Sequence, residues 1–271
     1  MQVALSYRPP YDWPALSQFL AARAAPGVEL ADGQRYARTF EGGHFEVTPR
    51  DGFFEATITN ATPATTARLR RLLDLDADPA AISAHLGRDP LLRPLVAARP
   101  GLRLPGAWDG FELAVRAILG QQVTVAAATR LAGQLVAAFG RRYDGPPGLT
   151  HLFPTPEQLC DADIGGMPKA RAAAIRTLAA AALNDPALFD PDQDSAAAIA
   201  RFRALRGIGE WTAQYIAMRA LHASDAFPTG DVALLRALAV DGVRPTAREL
   251  ERRADAWRPF RAYAVMHLWA V

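Results

Sequence analysis

The segment Leu205 to Asp231, LRGIGEWTAQYIAMRALHASDAFPTGD, constrains this chain more than any other stretch. A Gly-Ile-Gly turn (Gly207, Gly209) runs directly into a helix-forming sequence, and an acid, Asp231, follows Trp211 by twenty positions. Glycine has no Cβ and tolerates positive φ, so backbone at such a turn can come unusually close to a partner. A helix beginning just after it leaves its first amides without intrahelical acceptors, and together with the helix dipole these hold an anion such as a phosphate. Asp231 stands immediately before VALLRAL, where a second helix is expected to begin. The segment therefore predicts a tight turn leading into a helix, then a loop that ends at the mouth of a second helix, with a backbone grip and a carboxylate in one unit.

Hydrophobic periodicity divides the rest of the chain. In the first hundred residues VALSY reads as a strand and Trp13–Ala25 as an amphipathic helix, and RYARTFE, HFEVTPR and FFEATITN alternate between turn residues as an antiparallel meander does. Short helices are expected over Pro63–Leu75, Asp78–Leu86 and Pro90–Ala98. The Pro/Gly-rich RPGLRLPG (Arg99–Gly106) reads as a linker. Beyond Trp108 the patterning is almost wholly helical: Asp109–Leu119, Val123–Phe139, Thr155–Ala162, Pro168–Leu183, Ser195–Ala204, Glu210–His222, Val232–Ala239, Thr246–Trp257 and Pro259–Ala270. Thr155, Ser195 and Thr246 supply start signals. The expected fold class is α+β, with a mixed α/β N-terminal domain over 1–98 (antiparallel sheet with helices) and an all-helical domain over 107–271.

Bulk properties exclude several classes. No apolar run approaches the roughly 20 residues of a membrane span, and MQVALSYRPPYDW lacks the basic start and apolar core of a signal peptide. A single cysteine, Cys160, forbids an internal disulfide and fits a reducing, cytoplasmic compartment of bacterial type. The formal net charge of +2 does not by itself announce a nucleic-acid partner. Of the 30 basic residues one is a lysine, Lys169. The five histidines show no HExxH or related spacing, so a zinc mechanism is not expected.

Two readings stand beside each candidate residue. Asp231 is a good N-cap for the helix after it, and it is also a candidate catalytic carboxylate; the two are compatible, because a helix N-terminus favours the charged form. Trp211 and Tyr215 lie at i,i+4 on one helix face, where they fit either an aromatic core stripe or the wall of a pocket.

The segment resembles the helix-hairpin-helix DNA glycosylase superfamily in its L-x-G-I-G-x-W-T-A-x-Y pattern followed by a loop and an Asp. The resemblance extends to RPPYDW and FLAARA at the start, RPGLRLPG and FELAVRAILGQQVTVA in the middle, and WRPFRAYAVMHLW at the end, all similar to the 3-methyladenine DNA glycosylase II family. It implies a hairpin over 203–222 that grips the DNA backbone through Gly207, Gly209 and the helix start at Thr212, a catalytic loop over 223–231, and Asp231 as the group that drives cleavage of the base–sugar bond. It implies a base cleft walled by Trp211, Tyr215 and Trp269, with Phe19 more peripheral, and Gln122 as the wedge that fills the gap left by the flipped nucleotide. A sodium or potassium ion on the backbone carbonyls of Arg203, Leu205 and Gly207 belongs to the same pattern; no other cofactor is expected. The implied partner is duplex DNA carrying alkylated bases, engaged by a monomer.

The chain departs from the pattern in several places. Trp211 occupies the position where hairpin glycosylases that also cut the backbone carry a nucleophilic lysine, which implies a monofunctional enzyme, since a Schiff base needs an amine. One cysteine is too few for an iron–sulfur cluster. Arg206 stands where proline is usual, Glu210 where a basic residue is common, and Gln122 where the related family has an apolar wedge. Ala270 replaces an aromatic residue and the sequence ends at Val271, which implies a more open cleft wall. Removal of deaminated or oxidised purines, or a non-catalytic DNA-binding hairpin, are the alternative readings.

Overall fold

The structure is a computed structural model that describes residues 1–239 and 243–270. Five strands come first: β1 (Gln2–Ser6), β2 (Glu29–Ala31), β3 (Tyr36–Phe40), β4 (Gly43–Arg50) and β5 (Phe53–Ile58). They form one antiparallel sheet in the order β1-β5-β4-β3-β2. Alternation decides its faces: Phe45 and Val47 on β4 and Phe54, Ala56 and Ile58 on β5 all point inward, with Val47 opposite Ala56. Against this face pack Trp13, Leu16 and Leu20 of α1 (Trp13–Ala21), Leu69 and Leu72 of α2 (Pro63–Leu72), and Trp108.

The helices that follow are α3 (Pro79–Leu86), α4 (Leu92–Ala98), α5 (Gly110–Leu119), α6 (Val125–Phe139), α7 (Pro156–Leu159), α8 (Lys169–Asn184), α9 (Ser195–Ala204), α10 (Glu210–Ala220), α11 (Val232–Ala237), α12 (Ala247–Ala254) and α13 (Arg261–Trp269). Their apolar faces form a second core around α5, α8, α10 and α13. The α+β class is as expected. Element ends differ where local chemistry intervenes. α1 stops at Ala21 rather than Ala25, because the chain turns and the Ala25 amide donates to Glu29 Oε2 (2.8 Å). α6 starts at Val125 because Thr124, not a residue before Val123, caps it. Asp194 caps α9 ahead of Ser195. The last expected helices shorten to α12, a 3-10 turn Asp255–Trp257, and α13.

Two features of the first domain were absent from the periodicity. β2 is three residues long and begins with Glu29, a buried acid that breaks the apolar alternation. The stretch read as a linker is no exposed tether: Gly101 to Gly106 is buried. Arg103 is 1 % exposed and donates to the carbonyls of Asp74, Ala77, Arg8 and Pro10. The two domains are further joined by a buried charge network. Arg38 donates to Glu112 (2.6 Å), Arg116 to Glu29 (2.7 Å) and Glu112 (2.9 Å), and the Tyr36 hydroxyl to Glu29 (2.5 Å). This junction sets the N-terminal domain, with Phe19, against the helical one.

Candidate functional site

Helices α9 and α10 meet at Leu205–Gly209. Ile208 turns inward and is buried, leaving Gly207 and Gly209 exposed on either side. Gly207 has φ +93°, and a Cβ there would meet the Ala174 Cβ of α8 at 2.4 Å, so both conformation and packing require glycine. Gly209 is different: it lies in extended backbone, and a Cβ would meet nothing within 4 Å. Gly209 is the N-cap of α10 and no side chain caps that helix, so its first amides have no side-chain acceptor. Glu210, which stood out for its sign, points away: Arg203 pairs with it at 2.9 Å and Gln214 donates to it at 3.0 Å. Arg206 is exposed.

Asp231 is the N-cap of α11, and its carboxylate is more heavily bonded than a cap requires. Oδ1 accepts the amides of Ala233 (2.9 Å) and Leu234 (3.0 Å) and the indole Nε1–H of Trp269 (3.2 Å). Oδ2 accepts the Nε1–H of Trp211 (2.8 Å). Oδ1 is saturated, and Oδ2 keeps a lone pair that none of these donors uses. The cap amides and the Trp269 indole fix Oδ1 and the Trp211 indole fixes Oδ2, so the half-buried carboxylate is orientationally locked.

The same indoles belong to a group of three aromatic rings. Trp211 and Tyr215 stack with centroids 5.2 Å apart and planes 8° from parallel, and Tyr215 faces Trp269 at 6.2 Å with a tilt of 48°. All three rings are only partly buried. Tyr215 and Trp269 pack against the core, and Trp211 and Trp269 bond the Asp231 carboxylate. At the far end of this platform the Tyr215 hydroxyl accepts a hydrogen bond from Arg219 (2.9 Å). Burial would push the Tyr215 hydroxyl up, but Arg219, Arg23 and Arg116 overcome it and hold the group below its ordinary value. Phe19 reaches this end from α1, with the Arg23 guanidinium 3.7 Å and that of Arg219 4.7 Å from its ring centre.

Gln122 lies exposed in the loop between α5 and α6, with φ +57°. Its neighbour Gln121, not singled out by sequence, ties this loop to the hairpin. The Gln121 amide donates to Gly207 O (2.9 Å) and Thr212 Oγ1 (3.1 Å), while Arg171 donates to Gln121 O (2.6 Å). The Thr212 side chain is therefore committed to the protein, and only its backbone faces the helix start. Nothing in a Gln-Gln pair says which member turns inward. Arg219 was more accessible to reasoning, since it lies four residues after Tyr215 on the same helix face. Among the histidines on expected helices, His222 follows α10 at φ +57° beside Leu104 O (3.1 Å) and Asp74 (3.3 Å). His267 is buried in α13, and burial pulls it down to about 4, so it is neutral. Val271, assigned to the cleft wall, lies outside the described residues.

Comparison with known proteins places this geometry. Residues 2–109 match the AlkA N-terminal domain, and residues 115–261 match the HhH-GPD superfamily of base excision DNA repair proteins. A probable bifunctional transcriptional activator/DNA repair enzyme AlkA of Mycobacterium tuberculosis is 41% identical across 99% of this chain; the match spans 56% of that protein's length. DNA-3-methyladenine glycosylase 2 of Escherichia coli K12 is 38% identical across 98% of this chain and 95% of its own. A 3-methyladenine DNA glycosylase structure from Archaeoglobus fulgidus shares the fold with a TM-score of 0.83, at 21% identity, covering 99% of this chain and 97% of that one. The chain belongs to the HhH-GPD superfamily of base excision DNA repair proteins, in its AlkA branch.

Proposed function

We propose that the protein is a monofunctional DNA glycosylase that removes alkylated bases of the 3-methyladenine and 7-methylguanine type, leaving an abasic site. The observation that carries this reading is Asp231: a carboxylate held by four N–H donors at the edge of an aromatic platform. Such a group suits a reaction in which positive charge develops on a sugar. The bond between C1′ and the base nitrogen breaks with its electron pair leaving on the base; the carboxylate stabilises the oxocarbenium-like sugar and orients the water that attacks it. An alkylated purine already carries positive charge and departs neutral, so no general acid is needed. Trp211, Tyr215 and Trp269 supply π-faces for such an electron-poor base.

The partner is duplex DNA, engaged by a monomer at a backbone phosphate through the first amides of α10. Gly209 supports this: the protein itself leaves room for a side chain there, so its absence serves an approaching backbone. Gln122, exposed near the hairpin through the Gln121 anchor, is the wedge that fills the base-stack gap. The carbonyls of Leu205 and Gly207 each accept one hydrogen bond, from the Ile208 amide and from Gln121, and keep a second lone pair. With Arg203 O they form an oxygen set suited to sodium or potassium, which would stiffen the turn. Trp211 in place of an amine supports the absence of lyase chemistry. The single Cys160 supports a reducing cytoplasm.

Duplex DNA treated with a methylating agent tests this reading. The expected result is release of free 3-methyladenine and 7-methylguanine, with strands intact until alkali is added and no adduct trapped by borohydride. DNA binding without base release would favour a non-catalytic hairpin module. A trapped adduct would contradict the monofunctional assignment.

A further inference from the structure

The loop between α5 and α6 is pinned from three directions. The Gln121 carboxamide has two N–H donors, and both cross to the hairpin. One goes to Gly207 O (2.9 Å), in the turn before α10, and one to Thr212 Oγ1 (3.1 Å), in the first turn of that helix. Arg171 of α8 donates to the Gln121 carbonyl (2.6 Å). Just downstream, Thr124 caps α6 by accepting the Ala127 amide (3.2 Å). Between these anchors Gln122 is held at φ +57°, a left-handed conformation that is unfavourable for a residue with a Cβ. Such backbone persists only where its surroundings dictate it. The Gln122 side chain is exposed, whereas that of Gln121 is half-buried.

We infer that Gln121 is a positioning residue for nucleotide flipping: it fixes Gln122 in register with the phosphate grip of the hairpin. The inference rests on the proposed glycosylase reading, in which Gln122 fills the base-stack gap. Two contacts with one DNA molecule reinforce each other only when their spacing matches that of the two sites on the DNA. A wedge on a loose loop would lose that match, and a misplacement of about 1 Å can cost two orders of magnitude. Gln121 removes the freedom by bonding the turn on one side and the helix start on the other, so that wedge and grip form one body. Glutamate could not replace it, because a carboxylate has no donor for Gly207 O. With both donors spent inside the protein, Gln121 reaches DNA only through the residue that follows it.

Binding of two duplexes, one undamaged and one carrying a tetrahydrofuran abasic analogue, reads the effect as a ratio of Kd values. The undamaged duplex engages the grip alone; the analogue also offers a gap to the wedge. Gln121→Met keeps the side-chain length and loses both donors. It is expected to lower the preference for the analogue about tenfold, as avidity is partly lost, while the affinity for undamaged duplex stays nearly unchanged. Gln122→Ala is expected to lower the preference by a similar factor. Because Gln121 acts through Gln122, the double variant should match Gln122→Ala alone to within about twofold; a residue that merely supports the fold would multiply the two losses. Thr212→Ala removes one of the two acceptors and should give a smaller loss, and Thr212→Ser, which keeps the hydroxyl, none. Should Gln121→Met fail to fold, this Thr212 pair decides the matter by the same ratio. Multiplied losses in the double variant, an unchanged preference in either single variant, or equal weakening on both duplexes would overturn the inference. Release of 7-methylguanine by the wild type, measured in parallel, keeps the two readings apart. Its absence would remove the glycosylase reading and the wedge with it, whereas release together with any of those binding results removes this inference alone.

Discussion

At the scale of single residues, the site depends on what holds Asp231. Trp211 is the sole described donor to Oδ2, at 2.8 Å, whereas Trp269 shares Oδ1 with two amides at 3.2 Å. Replacing either indole by phenylalanine keeps an aromatic face and deletes the N–H. A hydrogen bond to a charged group contributes about 1.5–3 kcal/mol, so Trp211→Phe is expected to slow single-turnover base release at least about tenfold, and Trp269→Phe less. Binding to uncleaved lesion DNA, measured by titration, should change by under about threefold in both. Equal losses in rate and binding would make the indoles platforms only. Asp231 was legible because the hairpin sequence and the twenty-residue spacing marked it. Its indole partners were legible as rings, not as donors, since the direction of an N–H is a property of packing. Arg23 and Gln121 were not legible, because their partners lie on other elements.

At the scale of elements, the hairpin separates two kinds of glycine. Gly207→Ala forces a side chain into φ +93° and against Ala174. Left-handed backbone costs roughly 1–2 kcal/mol before the clash is counted, so the melting temperature should fall by several degrees, with DNA binding reduced as the turn distorts. Gly209→Ala meets open space. It should melt within about a degree of the wild type yet bind duplex DNA more weakly, because the new methyl group would stand where a phosphate approaches. Loss of stability in Gly209→Ala, or undiminished binding by it, would argue against a backbone grip there. The long helices α5, α8, α9 and α10 were readable from periodicity. β2 was not, because three residues carry no pattern and its first, Glu29, faces a buried arginine network rather than solvent. The 101–106 stretch misleads for a related reason: proline and glycine mark irregular backbone, and here that backbone is buried and bonded by the side chains of Arg219, His222 and Asp74.

At the scale of the whole molecule, the domains are joined by charges that sequence could not pair, since Arg38 and Glu112 lie 74 positions apart. Burial alone would push Glu29 up, but Arg116 and Arg38, with the Tyr36 hydroxyl and Ala25 amide, hold it down at about 2, against 4.5 when unfolded. Its contribution is fully present above pH 4.5 and is lost as pH falls toward 2, about 3 kcal/mol in all. His267 acts in a higher window. Burial, aided by Arg99, lowers it from 6.5 to about 4, so below pH 6.5 the unfolded chain binds a proton that the folded chain refuses. Stability should therefore fall by about 3 kcal/mol between pH 6.5 and 4. Denaturant titrations across pH should show this slope, and His267→Leu should flatten it; an unchanged slope in the variant would place the titrating group elsewhere.

The central claim is that Asp231 performs chemistry and does not merely cap α11. Asn keeps the cap, since it is as good an N-cap as Asp, and removes the charge. The most direct test is single-turnover base release and lesion-DNA binding by Asp231→Asn beside the wild type. The account predicts a rate reduced by at least about a thousandfold, as for loss of a principal transition-state charge, with binding nearly intact. Base release at the wild-type rate by Asp231→Asn would contradict it.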